Sequence, residues 1–576
     1  RQQLIIELDL EHKEFTYSSL EGRKLAALLN KQLRSVEDIV AALDVAAKDS
    51  RVKALICRVG ALPNLAFAGD VRAAVERFRA AGKLTVAYSE SLTTRAGSAY
   101  YLASAFEKVY LSRSGIINLS GMGVDMPFVK GTLEKCGIRA HLLQREEYKN
   151  FANMFQDDKL TDAYKEVTIS LLEEMFSVVV EAAAQRCGIT ATAMEEVFLQ
   201  GPYTAPEALA AGLVDGLLYR DEVYKSVYDA FPKASPIYAR VYLAQKTKQR
   251  PFAKGKNKVA FIVAEGSIHE GNSSQDFMGH RQSIGSDTTC ADIRAAIEDK
   301  SIKAIIFRVD SGGGSYTASD AINRELKRAQ EAGKPVIAWM GGVAGSGGYC
   351  VSMSADKIVA QSLTLTGSIG VIMGKFLMKG TSDILGLSFD RVDLRDHGEQ
   401  GTLLSSLHDF NEEQFAKLNS LTDHVYEEFK TDAAAGRHME KARMDELAKG
   451  RVWSGRQALE RNLVDALGDI HVVVDVLKGV CDWGEKDTVQ LVRFPKKKGV
   501  LANLAKPTSS RDADRRAIVT TGPGFMARLT CTVVGAVCAS NPMLHAVFTQ
   551  VFNTSLASPG NGAAPAAAMT STVTRF

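Results

Sequence analysis

The stretch "SIKAIIFRVD", Ser301–Asp310, contains an apolar run that an earlier stretch of the same chain repeats. "RVKALICRVG", Arg51–Gly60, matches it at Lys, Ala, Ile and Arg-Val with an offset of 250 residues. Short apolar runs bounded by turn residues are typical of buried strands. The two stretches therefore predict the same buried strand in each half of a duplicated chain.

The same offset recurs outward from these two strands. "AAGKLTVAY" corresponds to "EAGKPVIAW", "YYLASAFEKVYL" to "YCVSMSADKIVA" after the loss of one residue, and "TAPEALAAGLVDGL" to "SGRQALERNLVDAL". Correspondence at one offset over about 200 residues indicates an internal duplication. We expect repeats over 1–235 and 258–495, a basic linker over 236–257, and a low-complexity, partly disordered extension over 496–576.

Strand and helix patterns alternate within the second repeat. "AIIFRV" and "PVIAWM" predict strands, and "TASDAINRELKRAQEAG" between them has the apolar spacing of a helix that ends at glycine. Such alternation predicts an α/β fold with parallel sheets, so the loops that follow the strands gather at one edge. The glycine loops "DSGGGS", 310–315, and "GGVAGSGG", 341–348, should therefore lie side by side.

Composition excludes several function classes. The 576 residues are 46% hydrophobic and 24% charged, and a net charge of +3 is too small to indicate nucleic acid as a partner. Eight cysteines form no C-x-x-C pair, which argues against zinc and against a disulfide scaffold. No segment reaches the ~20 apolar residues of a membrane span. Because the sequence begins with Arg1, we expect that a preceding targeting or anchoring piece is missing.

Ser346 lies in a glycine-rich stretch. It is either a turn residue or a nucleophile whose hydroxyl is accessible because its neighbours have no side chains. It is not the G-x-S-x-G elbow of α/β hydrolases, because Ala344 stands two residues before the serine. A predicted helix start at Ser346 leaves backbone N–H groups free. The counterpart of Ser346 in the first repeat, at an offset of 249, is Gly97, so only one half retains the serine.

The two glycine loops together can form an oxyanion hole. The N–H of Gly347 and that of Gly313 or Gly314 are the candidate donors. A serine nucleophile also needs a base. None of the ten histidines sits in a motif with an obvious proton relay; His397, next to Asp396, is the least implausible base, and the alternative for it is a surface loop.

Four features together resemble the signal peptide peptidase A (protease IV) family in its long, tandem-domain form. They are "MGGVAGSGGY", the following "TLTGSIGV" (Thr364–Val371), the "RVDSGGGS" loop and the duplication. The resemblance covers about 1–495 and implies tandem duplicated Clp-protease/crotonase-like domains and a serine endopeptidase with a Ser–Lys dyad.

The family's lysine motif is similar to "REEYKNFANMFQDD", which makes Lys149 the implied base for Ser346. The counterpart of Lys149 in the second repeat is Gly398, so each half holds one member of the pair. The resemblance also implies that the Ser368 hydroxyl orients the lysine amine. A lysine base must be neutral, which means lowering its pKa by about three units at a cost of about 4 kcal/mol. We therefore expect a dry environment around Lys149 without a paired carboxylate.

The resemblance further implies hydrophobic peptide substrates such as remnant signal peptides, attachment to a membrane through a missing N-terminal segment, and a homotetramer. It implies no metal or cofactor. The loop Asp310–Gly314 departs from the family's Asn-x-Pro-Gly-Gly. This departure keeps open a non-hydrolytic scaffold that binds peptides or membrane proteins. An acyl-CoA enzyme of the crotonase fold is a third reading, because such enzymes also build oxyanion holes from glycine loops.

Overall fold

The computed structural model describes residues 2–11, 13–17, 33–60, 62–93, 95–274, 283–392 and 398–495. The predicted extension over 496–576 and the candidate base His397 lie outside the described residues. The described residues form two α/β lobes, one from each half of the chain.

The first lobe contains a central sheet, its flanking helices and several short strand pairs. Its elements are β1 (Gln3–Asp9), β2 (Glu14–Thr16), β3 (Leu33–Ser35), α1 (Val36–Lys48), β4 (Val52–Arg58), α2 (Leu65–Ala80), β5 (Leu84–Ser89), α3 (Ala96–Ala103), β6 (Lys108–Leu111), β7 (Ile116–Ile117), α4 (Lys130–Lys135), β8 (Arg139–Gln144), α5 (Asn153–Gln156), α6 (Asp162–Cys187), α7 (Ala191–Leu199), β9 (Tyr203–Thr204), α8 (Ala205–Ala210), β10 (Gly216–Leu217), α9 (Arg220–Ala230), β11 (Ala234–Tyr238) and α10 (Ala239–Ala244).

The second lobe repeats this arrangement. Its elements are β12 (Asn257–Glu265), β13 (Ser267–His269), β14 (Ser283–Gly285), α11 (Ser286–Glu298), β15 (Ile302–Ser311), α12 (Tyr316–Glu331), β16 (Val336–Gly345), α13 (Gly347–Cys350), β17 (Lys357–Ala360), β18 (Leu365–Gly367), β19 (Ile372–Leu377), α14 (Lys379–Ile384), α15 (Glu412–Gly436), α16 (Lys441–Leu447), β20 (Val452–Ser454), α17 (Gly455–Glu460), β21 (Ala466–Leu467), α18 (Ile470–Val480) and β22 (Val489–Phe494). Short 3₁₀ helices occupy Asn150–Ala152, Thr247–Gln249 and Gly398–Thr402.

Both central sheets are built on parallel strands. The first sheet has the order β10-β6-β5-β4-β1-β11 with parallel neighbours throughout. The second has the order β20-β18-β16-β15-β12-β22, in which only the β18–β20 pair is antiparallel. The two apolar runs that reveal the duplication are the central strands β4 and β15. The predicted tandem α/β fold with parallel sheets is therefore confirmed.

The structural repeat follows the sequence repeat closely. Helices α1 and α11 begin 250 residues apart, and so do α9 and α18. The helix predicted between the two strands of the second repeat is α12, which begins where the Ser315 hydroxyl accepts the Ala318 N–H at 3.2 Å. The side chain of Ser315 caps a helix start that would otherwise leave its N–H groups unpaired.

The two lobes share one large hydrophobic core and several buried polar contacts. Tyr17 from the first half packs edge-on against Trp339 from the second, with ring centroids 5.3 Å apart. Arg77 of the first half bridges Asp44 at 2.8 Å and Asp469 of the second half at 2.6 Å. The lobes are therefore packed as one body, and groups from both can meet in one site.

The stretch 236–257, expected as a basic linker, runs along this shared body. It includes α10, whose Tyr242 and Leu243 are buried in the large core. Arg250 farther along contacts Asp38 of α1 at 2.7 Å. The connection between the halves thus packs against the first lobe over part of its length.

Candidate active site

Ser346 lies between β16 and α13, at the carboxyl end of the parallel sheet. Its backbone has φ 54° and ψ −119°, a conformation that L-residues rarely adopt. Its N–H donates to the Gly367 carbonyl at 2.9 Å. Strained backbone of this kind persists only where the surroundings hold it, and it is concentrated at functional sites.

Lys149 comes from the other lobe, in the loop that follows β8. Its residue surface is 6% exposed, and its Nζ lies 3.0 Å from the Ser346 Oγ. The same Nζ lies 2.7 Å from the Ser368 carbonyl oxygen and 3.0 Å from the Ser368 Oγ. The structure thus brings together the three side chains to which the family resemblance gives the roles of nucleophile, base and orienting group.

The three contacts match the bonding capacity of a neutral amine, which has two N–H donors and one lone pair. The Ser368 carbonyl can only accept, so it takes one N–H, and the Ser368 hydroxyl oxygen can take the second. The lone pair then faces the Ser346 hydroxyl, which donates to it. This arrangement suits a group that removes the Ser346 proton.

Burial lowers the pKa of Lys149 to about 7, and desolvation is the cause. Lys149 forms no ion pair with a carboxylate in the described part of the chain. Two glycines of the second half cover its stem. A Cβ at Gly450 would lie 2.6 Å from the Lys149 backbone nitrogen, and one at Gly370 would lie 3.0 Å from its Cδ.

The two glycine loops lie side by side as predicted. A Cβ at Gly313, whose φ is 107°, would lie 2.7 Å from the Gly347 nitrogen. The Gly313 N–H already donates to the Ser311 Oγ at 3.1 Å. The N–H groups of Gly347 and Gly314 donate to no acceptor within the described ranges. Of the two candidates from the first loop, Gly314 is therefore the one with an available donor.

Asp310, the charged residue in the altered loop, binds backbone rather than facing the Ser346 hydroxyl. Its carboxylate accepts the N–H groups of Gly342 and Val343 on β16 at 3.0 and 3.1 Å. The β15–β16 ladder shifts register at this point, between Val309 and Ser311. Asp310 thus replaces lost ladder bonds and ties the loop at the end of β15 to the strand that carries Ser346.

The Lys449–Arg451 loop is a part of the site that sequence reasoning missed. Its Lys449 carbonyl accepts the Tyr148 N–H at 3.2 Å, and its Arg451 carbonyl accepts the Ser368 N–H at 2.7 Å. It therefore holds the neighbour of the lysine and the orienting serine at once. No motif marks this loop in the sequence, and only the single glycine at its centre hints at a special backbone.

Comparison with known proteins places these observations in a family. The profile of peptidase family S49 matches residues 77–230 and 328–481, once in each half. Protease 4 of Haemophilus influenzae is 30% identical over 478 residues, covering 79% of this chain and 74% of the relative. Protease 4 of Salmonella typhi is 30% identical over 470 residues, covering 79% of this chain and 73% of the relative.

A plant protease is similar to this chain over a comparable length. The chloroplastic serine protease SPPA of Arabidopsis thaliana is 29% identical over 446 residues, covering 77% of this chain and 63% of the relative. The two family matches and the relatives named as proteases define the class of this chain as a serine-type peptidase. The chain is a member of peptidase family S49.

None of the helices in the described part of the chain combines the length and the apolar character needed to cross a membrane.

Proposed function

We propose that this chain is a serine endopeptidase in which Ser346 is the nucleophile and Lys149 is its general base. The observation that carries the proposal is the 3.0 Å contact between the Lys149 Nζ and the Ser346 Oγ in a buried site. A lysine with a pKa of about 7 is half neutral near neutral pH, so it can accept a proton there.

The geometry supports a two-step hydrolysis. Lys149 takes the Ser346 proton as Oγ attacks the scissile carbonyl carbon, and the resulting ammonium gives a proton to the departing amine. Water then attacks the acyl-enzyme, with Lys149 again as base, and releases the acid. The N–H groups of Gly314 and Gly347, which donate to no acceptor within the described ranges, would stabilise the oxyanion in both steps.

The substrates of this reaction are hydrophobic peptides in extended form, such as remnant signal peptides at a membrane. The support for this class is the family resemblance, which also underlies the proposed N-terminal membrane attachment and homotetramer. An extended peptide can pair with backbone beside the glycine loop, where the scissile carbonyl would enter the Gly314–Gly347 pair.

Labelling with a fluorophosphonate tests the nucleophile directly. We expect the purified protein to be labelled, Ser346→Ala to lose all labelling, and Lys149→Ala to lose most of it. Ser354→Ala and Lys130→Ala are the matched controls, and both should retain the labelling. Absence of labelling in the unmutated protein would favour the non-hydrolytic scaffold. Acyl-CoA turnover that survives Ser346→Ala would favour the crotonase-type enzyme.

A further inference from the structure

One face of helix α6, which belongs to the first half, bonds to the second half at several points. The Ser170 hydroxyl accepts the amide N–H of Gln457 at 3.0 Å, and the Glu181 carboxylate accepts two N–H groups of Arg456, both at 2.9 Å. Glu166 stands four residues before Ser170 and therefore lies on the same face. We call this line of contacts along α6 the seam.

Glu166, at one end of the seam, binds two side chains that come from different halves. Its Oε1 accepts an N–H of Arg451 at 2.5 Å, and its Oε2 accepts the Tyr148 hydroxyl at 2.9 Å. The Arg451 guanidinium also lies over the Tyr148 ring, 4.8 Å from its centroid, and over the Trp453 ring at 4.7 Å. An exposed ion pair alone contributes little, but this guanidinium is fixed by two aromatic rings as well. We call Tyr148, Glu166 and Arg451 the clamp.

The clamp is joined to both residues that place the lysine amine. Tyr148 directly precedes Lys149 in the chain, so bonds to the tyrosine side chain restrain the backbone that carries the lysine. The Arg451 carbonyl accepts the Ser368 N–H at 2.7 Å, and the carbonyl and hydroxyl of Ser368 in turn contact the lysine amine. Arg451 therefore links the residue before the lysine to the serine that binds its amine.

The duplication provides a comparison within the same chain. At an offset of 250, the counterpart of Arg451 is Gly201 and that of Glu166 is Ala416. Helices α6 and α15, which carry the second of these pairs, begin 250 residues apart. The repeated fold is thus built without either charge at the corresponding positions. Packing of the lobes alone therefore does not account for the pair of Glu166 and Arg451.

We propose that the three residues of the clamp are positioning residues for Lys149, whose amine they keep dry and within reach of the Ser346 hydroxyl. This inference rests on the proposed role of Lys149 as the base, and the clamp acts through that lysine. Burial is the cause that lowers the pKa of Lys149. A loosened clamp admits water to the amine and so raises that pKa toward its ordinary value. The clamp therefore helps to set the pH at which the base becomes neutral.

The rate of labelling by a fluorophosphonate, measured against pH, tests the clamp. Glu166→Ala removes both side-chain bonds at an exposed helix position, where alanine suits the helix. We expect labelling to slow about 5-fold, as the loss of a hydrogen bond to a charged group can do, and the acid limb to move to higher pH. Glu181→Ala, which removes a seam contact farther along the same helix, is the matched control and should change neither. An unchanged profile in Glu166→Ala, or an equal change in Glu181→Ala, would overturn the proposal.

A double-mutant cycle tests whether Glu166 and Arg451 act as one unit. Arg451→Met removes the charge and keeps an unbranched side chain between the neighbouring rings. We expect the protein with both Glu166→Ala and Arg451→Met to be labelled no more slowly than Arg451→Met alone, because either change already opens the clamp. Effects of the two substitutions that multiply would show independent action and would contradict the proposal.

Lys149→Ala in the same assay keeps this proposal separate from the proposed hydrolysis. If Lys149→Ala loses labelling while Glu166→Ala keeps the unmutated rate and pH profile, the clamp is refuted and the serine–lysine pair stands. If Lys149→Ala retains full labelling, the lysine is not the base, and a clamp that acts through it is refuted with it.

Discussion

Gly450 and Lys149, which lie in different halves of the chain, touch backbone to backbone. A Cβ at Gly450 would fall 2.6 Å from the Lys149 nitrogen and 2.6 Å from its Cβ. Gly450 also has φ 73°, which disfavours any side chain there. The close packing of Gly450 against Lys149, which only a residue without a side chain allows, therefore helps to exclude water from the lysine.

Gly450→Ala should push Lys149 away from Ser346 and admit water to the amine. We expect kcat/KM to fall roughly 100-fold, since a displacement of about 1 Å at a reacting group has this effect. The acid limb of the pH profile should also move to higher pH, because a hydrated lysine regains its ordinary pKa. Gly479→Ala, in a helix with open space around it, is the control. Unchanged kinetics in Gly450→Ala would contradict the packing argument.

Activity should rise with pH through about 7, the value to which burial lowers the pKa of Lys149. Only the neutral amine accepts the serine proton, so activity is lost as pH falls below that value. The measurement is kcat/KM, or the rate of fluorophosphonate labelling, from acid to alkaline pH. A flat profile, or a limb near the ordinary lysine pKa of ~10.4, would argue against Lys149 as the base.

Ser368→Ala removes one of two acceptors that hold the lysine amine, while the Ser368 carbonyl remains. We expect a loss of about 5-fold in kcat, since a hydrogen bond of this kind contributes about 1 kcal/mol. Ser368→Gly, which suits the φ of 49° at this position, also lacks the hydroxyl and should lose as much. Unchanged kcat in both variants would show that the hydroxyl does not orient the amine.

Lys149→Met should abolish activity and raise thermal stability near and below neutral pH. The native pKa of about 7 lies below the unfolded value of ~10.4, so the unfolded chain binds more protons between these values and stability rises with pH there. Below pH 7 the buried lysine destabilises the native state by the full amount, about 5 kcal/mol. The measurement is the difference in Tm between the two proteins against pH. A Tm difference that does not shrink from pH 7 to 10 would contradict this linkage.

The sequence repeat predicts the two α/β lobes, whereas the choice of Lys149 as the base comes from the family resemblance, with which the complementary loss after duplication agrees. Gly97 stands in the place of the serine in one half, and Gly398 stands in the place of the lysine in the other. The strand and glycine-loop patterns are local, so they predict β4, β15 and the two neighbouring loops without knowledge of the docked lobes.

What the sequence does not predict depends on how the lobes dock. The choice of Gly314 over Gly313 follows from a hydrogen bond to the Ser311 side chain, and the role of Asp310 follows from a register shift between two strands. The contact of Gly450 with Lys149 joins residues about 300 positions apart through a loop without a motif. Spacing along the chain carries no information on such contacts.

Because Lys149 and Ser346 lie in different lobes, their order in the chain has a consequence during synthesis on the ribosome. Lys149 is synthesised well before Ser346. Gly370 and Gly450, which pack against Lys149, are synthesised later still. If Lys149 and Ser346 act as proposed, peptide cleavage can begin only after the second lobe has been synthesised and has folded against the first.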